Sequence, residues 1–196
     1  LYVDANAIAP SKAQHIEQMM AAAKIDFVDG GIIGGPAWQP SETWLYLSGP
    51  RAAQVAELFS AGPLETQVIG DDPGRASALK MCYAAYTKGS TAMLSAILGL
   101  AHQLGVWEEL RQQWDQDDPA FAERAVLRAR RVTAKAWRFS GEMDEIALTF
   151  REAGLPDGFH QAAGEVYRRT AGFKGRAEFP PFEEVLAALT DSDSLK

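Results

Sequence analysis

The spacing of apolar positions changes character near residue 71. Before it, short apolar runs alternate with amphipathic stretches. Residues 1–4, 26–29, 44–49 and 66–70 read as strands, each a short run bounded by turn-forming residues. Between the first two, Ile16, Met19, Met20 and Ala23 fall at helical spacing behind Ser11, the expected N-cap. Pro50 opens a second helix through Val55, Leu58 and Phe59. Strands alternating with helices predict a largely parallel sheet covered by helices. From Arg75 onward the strand pattern stops. Residues 76–104 predict one helix of roughly 45 Å at 1.5 Å per residue, ended by Gly105. Further helices are predicted at 107–114, 119–138, 141–153, 157–170 and 182–189. The expected fold class is α/β followed by all-α. The expected boundary separates residues 1–72 from a helical part, 73–196, with no internal repeats or low-complexity segments.

The long apolar stretch carries two lysines, Lys80 and Lys88, and no acid. An ammonium head costs free energy to desolvate, and desolvation lowers its pKa towards the range of proton transfer. Lys80 shares a broad stripe with Ser77, Tyr83, Ala84, Thr87 and Thr91, at helical spacings of three and four. A polar stripe on an otherwise apolar helix is where an interface places a site. The ordinary alternative is a lysine whose stem packs while its head reaches water. Upstream, residues 29–36 hold four glycines, which either let a ligand approach the backbone or serve a tight turn with positive φ. The spacing is not the G-x-G-x-x-G fingerprint, and no P-loop lysine follows. Glu142, Asp144 and Glu145, behind Ser140-Gly141, read as acids suited to a helix N-terminus. Arg128, Arg130 and Arg131 read as a solvated face, or as a contact for a carboxylate or phosphate.

Charge and cysteine content narrow the partners. The chain has 19 Lys+Arg against 26 Asp+Glu, a net charge of −7. That argues against nucleic acid and against an anionic membrane surface. The apolar run around Lys80 is too interrupted to span a bilayer. Cys82 is the only cysteine, so a reducing compartment, the cytoplasm, is expected. His15, His102 and His160 are scattered and show no zinc spacing. No secretory signal is visible, and the chain opens directly on a strand pattern without Met, so an N-terminal part is expected to be missing.

Three segments occur in a familiar order. These are Val3-Asp4-Ala5-Asn6-Ala7-Ile8-Ala9-Pro10, then Phe27-Val28-Asp29-Gly30-Gly31-Ile32-Ile33-Gly34-Gly35-Pro36, then Gly74 through Lys80. Their order and spacing resemble the β-hydroxyacid dehydrogenases, the family of 6-phosphogluconate and 3-hydroxyisobutyrate dehydrogenases. Residues 76–89 resemble most the 6-phosphogluconate-dehydrogenase-like branch, and residues 137–150 resemble that branch's C-terminal DUF1932 domain.

The resemblance implies the C-terminal half of a Rossmann sheet, a long interdomain helix and a helical domain that forms a homodimer. It implies NADP or NAD as cofactor and a small-molecule substrate. Lys80 matches the residue that passes a proton to or from the substrate oxygen. Gly34 and Gly35 match the pair that binds a substrate carboxylate through backbone N–H groups. Asn6, Ala7 and Ile8 match the loop beside the nicotinamide. Ile33 stands where the family usually has Ser, and Ala84 where it has Asn, with Tyr83 beside it as a replacement donor. Glu142 stands where a second lysine is usual. These departures point to a bulkier or less polar hydroxyacid, or to an imine as in imine reductases. The alternative class is a non-catalytic helical dimerisation or binding module. The first βαβ unit with its glycine fingerprint is not in this sequence, so the chain alone is expected to bind dinucleotide poorly and to be inactive.

Overall fold

The computed structural model describes residues 1–191 of the chain. The described residues divide into two compact units, Leu1–Ala84 with Leu148–Leu155, and Ala85–Ala147 with residues 156–191.

The first unit is built on strands β1 (Tyr2–Asp4), β2 (Phe27–Gly34), β3 (Thr43–Ser48) and β4 (Glu65–Val68), in that spatial order. Helix α1 (Pro10–Ala22) connects β1 to β2, and α2 (Ala52–Glu57) connects β3 to β4. Both of those pairs are parallel, but β2 and β3 are antiparallel. The expectation of a largely parallel sheet therefore fails at its centre. The reason is local. β2 does not stop at Asp29 but runs on to Gly34, and residues 35–42 are too short for the crossover that a parallel neighbour needs. Val28, Leu45, Leu47, Ala52 and Val55 form the buried core of this sheet. Ser11 is not the N-cap of α1. The cap position is Ala9, without a side-chain hydrogen bond, and Pro10 starts the helix with its φ already suited to it.

One carboxylate organises this unit. Asp29 is 1% exposed, in mid-β2. Its Oδ2 accepts hydrogen bonds from the backbone N–H groups of Gly74 and Ser77, both at 2.9 Å, and from Ser48 Oγ at 3.2 Å. Its Oδ1 accepts from Ser77 Oγ at 2.6 Å. Ser48 Oγ in turn accepts from Ala76 N at 3.1 Å. The first N–H groups of a helix have no partner within the helix. Here side chains from two adjacent strands satisfy them, and the start of α3 (Arg75–Gln103) is pinned to the sheet.

The second unit is helical among the described residues. It takes the rest of α3, then α4 (Trp107–Asp117), α5 (Phe121–Glu152) up to Ala147, α6 (Gly158–Arg169), a 3-10 turn at Ala171–Phe173, and α7 (Phe182–Thr190). α5 replaces the two helices expected at 119–138 and 141–153. Its buried positions Ala125, Ala129, Ala136, Met143 and Ile146 keep helical period across Gly141. A single glycine costs a helix only about 1 kcal/mol. Glu142, Asp144 and Glu145 are therefore mid-helix and cap nothing. Glu142 Oε2 lies 2.9 Å from Lys88 Nζ, both side chains largely buried, and Asp144 Oδ1 lies 3.3 Å from Arg168 Nη1. Arg130 is likewise not solvated: its Nε donates to Pro180 O at 2.7 Å. Small residues on α5 let α3 approach closely, with Leu98 packed on Ala125 and Ala129. Tyr167 is fully buried and donates to Lys88 O at 2.7 Å.

Two outcomes follow from this packing. Asp29→Ala leaves several buried donors without an acceptor and is expected to cost about 2–4 kcal/mol in urea unfolding, with Asp29→Asn costing less. In the second unit, His160 is buried, and burial pushes its pKa down while Asp157 partly opposes this. The unfolded chain then takes up the proton first, so stability falls as pH drops below about 6.5. His160→Gln is expected to flatten that part of a melting-temperature profile against pH.

Candidate active site

The residues singled out by sequence lie along the carboxyl-terminal part of β2 and the segments that touch it. β1 ends at Asp4, whose Oδ1 accepts from Asn6 N at 2.8 Å and from Asn6 Nδ2 at 2.9 Å. This Asx-type turn shapes the loop of Asn6, Ala7 and Ile8, with Asn6 exposed and the other two half-buried. The loop lies close against β2 because Gly30 has no side chain. A Cβ there would sit 3.1 Å from Asp4 O and 3.2 Å from Ala5 Cβ.

The next glycine serves the helix. A Cβ on Gly31 would stand 2.6 Å from Ala76 O and 3.2 Å from Lys80 Cβ. α3 therefore rests directly on the backbone of β2, a contact that only glycine permits. Lys80 is half-buried, and its ammonium donates to the carbonyl of Ile32. Beyond it on β2, Ile33 is half-buried and Gly34 is exposed. Gly34 has φ +130, and a Cβ there would come within 2.4 Å of Glu42 O. Gly35 is exposed with open space around it, and its carbonyl accepts from Thr43 Oγ1 at 2.7 Å. The four glycines thus divide their roles. Gly30 and Gly31 allow close packing, Gly34 makes the turn, and Gly35 leaves backbone open to solvent.

The polar stripe on α3 also divides. Ser77 is engaged by Asp29, and Ala84 is completely buried. Tyr83 is half-exposed on the same turn of helix as Lys80. Thr91, in the other unit, accepts from Arg128 Nε at 2.6 Å. Sequence reasoning assigned no role to Asp29 or Ser48, although they set where Lys80 falls on β2. The available signal was an acid inside an apolar strand, followed 48 residues later by a serine in the first turn of a helix.

In open α/β sheets, nucleotides bind outside the carboxyl ends of parallel strands. The Asn6–Ile8 loop follows such an end on β1. Gly30 and Gly31 are taken up by packing, against this loop and against α3 respectively. Among the described residues, no group of three or more His, Cys, Asp or Glu is placed to hold a metal ion, and no helix is long and apolar enough to cross a membrane.

Gly31→Ala is expected to push α3 off β2. Overpacking of this kind costs about 1–3 kcal/mol, measurable as a lowered unfolding midpoint; an unchanged midpoint would mean that α3 does not depend on this contact.

Residues 101–170 match the family model described as "Domain of unknown function (DUF1932)". An uncharacterized 28.5 kDa protein of Methanothermus fervidus is 35% identical over 111 residues, which are 56% of this chain and 41% of that protein. A conserved hypothetical protein from Sinorhizobium meliloti 1021 is 26% identical, with a TM-score of 0.73 over 95% of this chain and 64% of that one. A conserved protein of unknown function, MTH1747, is 27% identical, with a TM-score of 0.64 over 86% of this chain and 66% of that one. Its structure is described as similar to the 3-hydroxyacid dehydrogenases. This chain spans under two thirds of each of these proteins. It carries a DUF1932 match within its helical part and has the fold of 3-hydroxyacid-dehydrogenase-like proteins.

Proposed function

We propose that this chain is part of an NAD(P)-dependent oxidoreductase acting on a hydroxyacid-like small molecule, with Lys80 as the proton-transfer residue. The observation that carries the reading is the seating of Lys80. Lys80 is half-buried and its ammonium is held at the Ile32 carbonyl, just before the exposed backbone of Gly34, the last residue of β2, and of Gly35. A substrate whose carboxylate meets the N–H groups of Gly34 and Gly35 brings its oxygen to Lys80. In reduction the Lys80 ammonium gives a proton to the carbonyl oxygen and becomes the neutral amine; in oxidation the neutral amine takes the hydroxyl proton and becomes the ammonium. A bound nicotinamide would supply the hydride acceptor or donor for the substrate carbon that bears this oxygen. Asn6, Ala7 and Ile8 form the wall against it, with Asn6 oriented by Asp4.

The substrate's character follows from Ile33 and Tyr83. Ile33 gives the carboxylate site no side-chain donor, which favours a bulkier or less polar hydroxyacid than the small standard ones. Tyr83, half-exposed one turn from Lys80, offers a side-chain donor on the same helix. Ala84 offers neither a donor nor exposed surface. The helical part acts as the homodimerisation surface in this reading.

The test uses the full protein that contains this chain, with NADH and NADPH and a panel of ketoacids and cyclic imines. Lys80→Ala is expected to lower kcat by about 10²–10⁴-fold on the preferred substrate, the usual worth of a positioned acid–base group, while cofactor affinity stays unchanged. Undiminished turnover in that variant would remove Lys80 from the chemistry. Preference for an imine over every ketoacid would move the substrate class.

A further inference from the structure

A second site lies in the helical unit, in the crevice between α3 and the first half of α5. Its volume is about 550 Å³, within the range of small-molecule pockets. Arg124, Arg128, Arg131 and Lys135 line it, at steps of four, three and four along α5. That spacing puts all four cations on one helix face, where like charges repel. Outside the crevice, Arg111 is offset by Glu108, Arg138 by Glu142, Arg168 and Arg169 by Glu165, and Arg176 by Glu184, while Arg130 is turned to the Pro180 carbonyl. In the crevice only Arg124 is offset by an acid, through Asp118. Among the described residues, Arg128, Arg131 and Lys135 form no ion pair, in a protein whose net charge is −7.

Arg128 is built in rather than solvated. It is half-buried. Its Nε donates to Thr91 Oγ1 at 2.6 Å, and its Nη2 donates to Thr87 O at 2.9 Å and Ser90 Oγ at 2.7 Å. These neutral acceptors fix the guanidinium plane without cancelling its charge. Nη1 makes no hydrogen bond among the described residues. A planar fork held this way is suited to an anion's oxygens. The remaining lining is apolar, from Leu127, Val132 and Phe139, all half-buried.

We propose that this crevice binds an amphipathic organic anion, a phosphate or carboxylate carried on an apolar body. The anion compensates Arg128, Arg131 and Lys135, and the body covers Leu127, Val132 and Phe139. The site is independent of the Lys80 reading, since none of its residues takes part in that chemistry.

The test is calorimetric titration of the purified chain with 1-naphthyl phosphate, 1-naphthoate, 1-naphthalenemethanol and inorganic phosphate. The naphthyl anions are expected to bind at least about tenfold more tightly than either inorganic phosphate or the neutral alcohol, and to weaken as salt is raised. Comparing phosphate with carboxylate identifies the preferred head group. Arg131→Gln with Lys135→Gln, both at exposed positions, is expected to weaken the naphthyl anions at least about tenfold with an unchanged circular-dichroism spectrum. Arg176→Gln, a charge removed elsewhere, is expected to leave affinity unchanged. Equal affinity in the double variant, equal affinity for the alcohol, or no binding of either naphthyl anion overturns the proposal. So does dissociation of a dimer by the double variant with no anion bound by the parent chain, since the crevice would then belong to a second copy.

Discussion

The Asp29 carboxylate is the contact on which the first unit depends. It sits inside the sheet and accepts four hydrogen bonds from groups on β3 and at the start of α3. A buried carboxylate is tolerated only when its oxygens are fully satisfied. Here the same oxygens satisfy N–H groups that the helix cannot pair for itself. The arrangement sets the register of α3 on β2. Given that register, Lys80 arrives one turn past the Asp29–Ser77 staple, and Gly31 must be a glycine to let it do so. The proposed chemistry of Lys80 is thus a consequence of a contact several residues away.

The second unit handles charge in two different ways. Lys88 and Glu142 form a largely buried pair at 2.9 Å, with the Phe139 ring 4.7 Å from the ammonium. Such a pair holds two helices in one alignment, because removing either partner strands the other. Arg128 sits on the same two helices but receives only neutral acceptors. Both cations join α3 to α5, one through a carboxylate and the other through neutral oxygens.

Much of this was legible in the chain. The switch from alternating runs to helical period near residue 71 marks where strands end, and every strand among the described residues precedes Arg75. The element positions were also close. What pattern could not give was direction. Periodicity reports which face of a strand is buried, not which way its neighbour runs, so the antiparallel β2–β3 pair went unread. The same limit applies to Gly141. Its sequence signal is a helix break, but continued burial of Ala136, Met143 and Ile146 on one face outweighs the local cost.

Local pattern was enough for the α/β-then-helical order, the apolar helix carrying Lys80, and the glycine-rich strand before it. These follow from local spacing and residue type, which act over a few residues. Folding in three dimensions sets which glycines open space and which fill it, that Ser77 serves Asp29, and that Glu142 answers Lys88. It also decides that Arg128 is fixed without an acid. The contacts of Ser77, Glu142 and Arg128 join residues 48, 54 and 37 positions apart in the chain, and long-range proximity of that kind has no signature in a linear pattern.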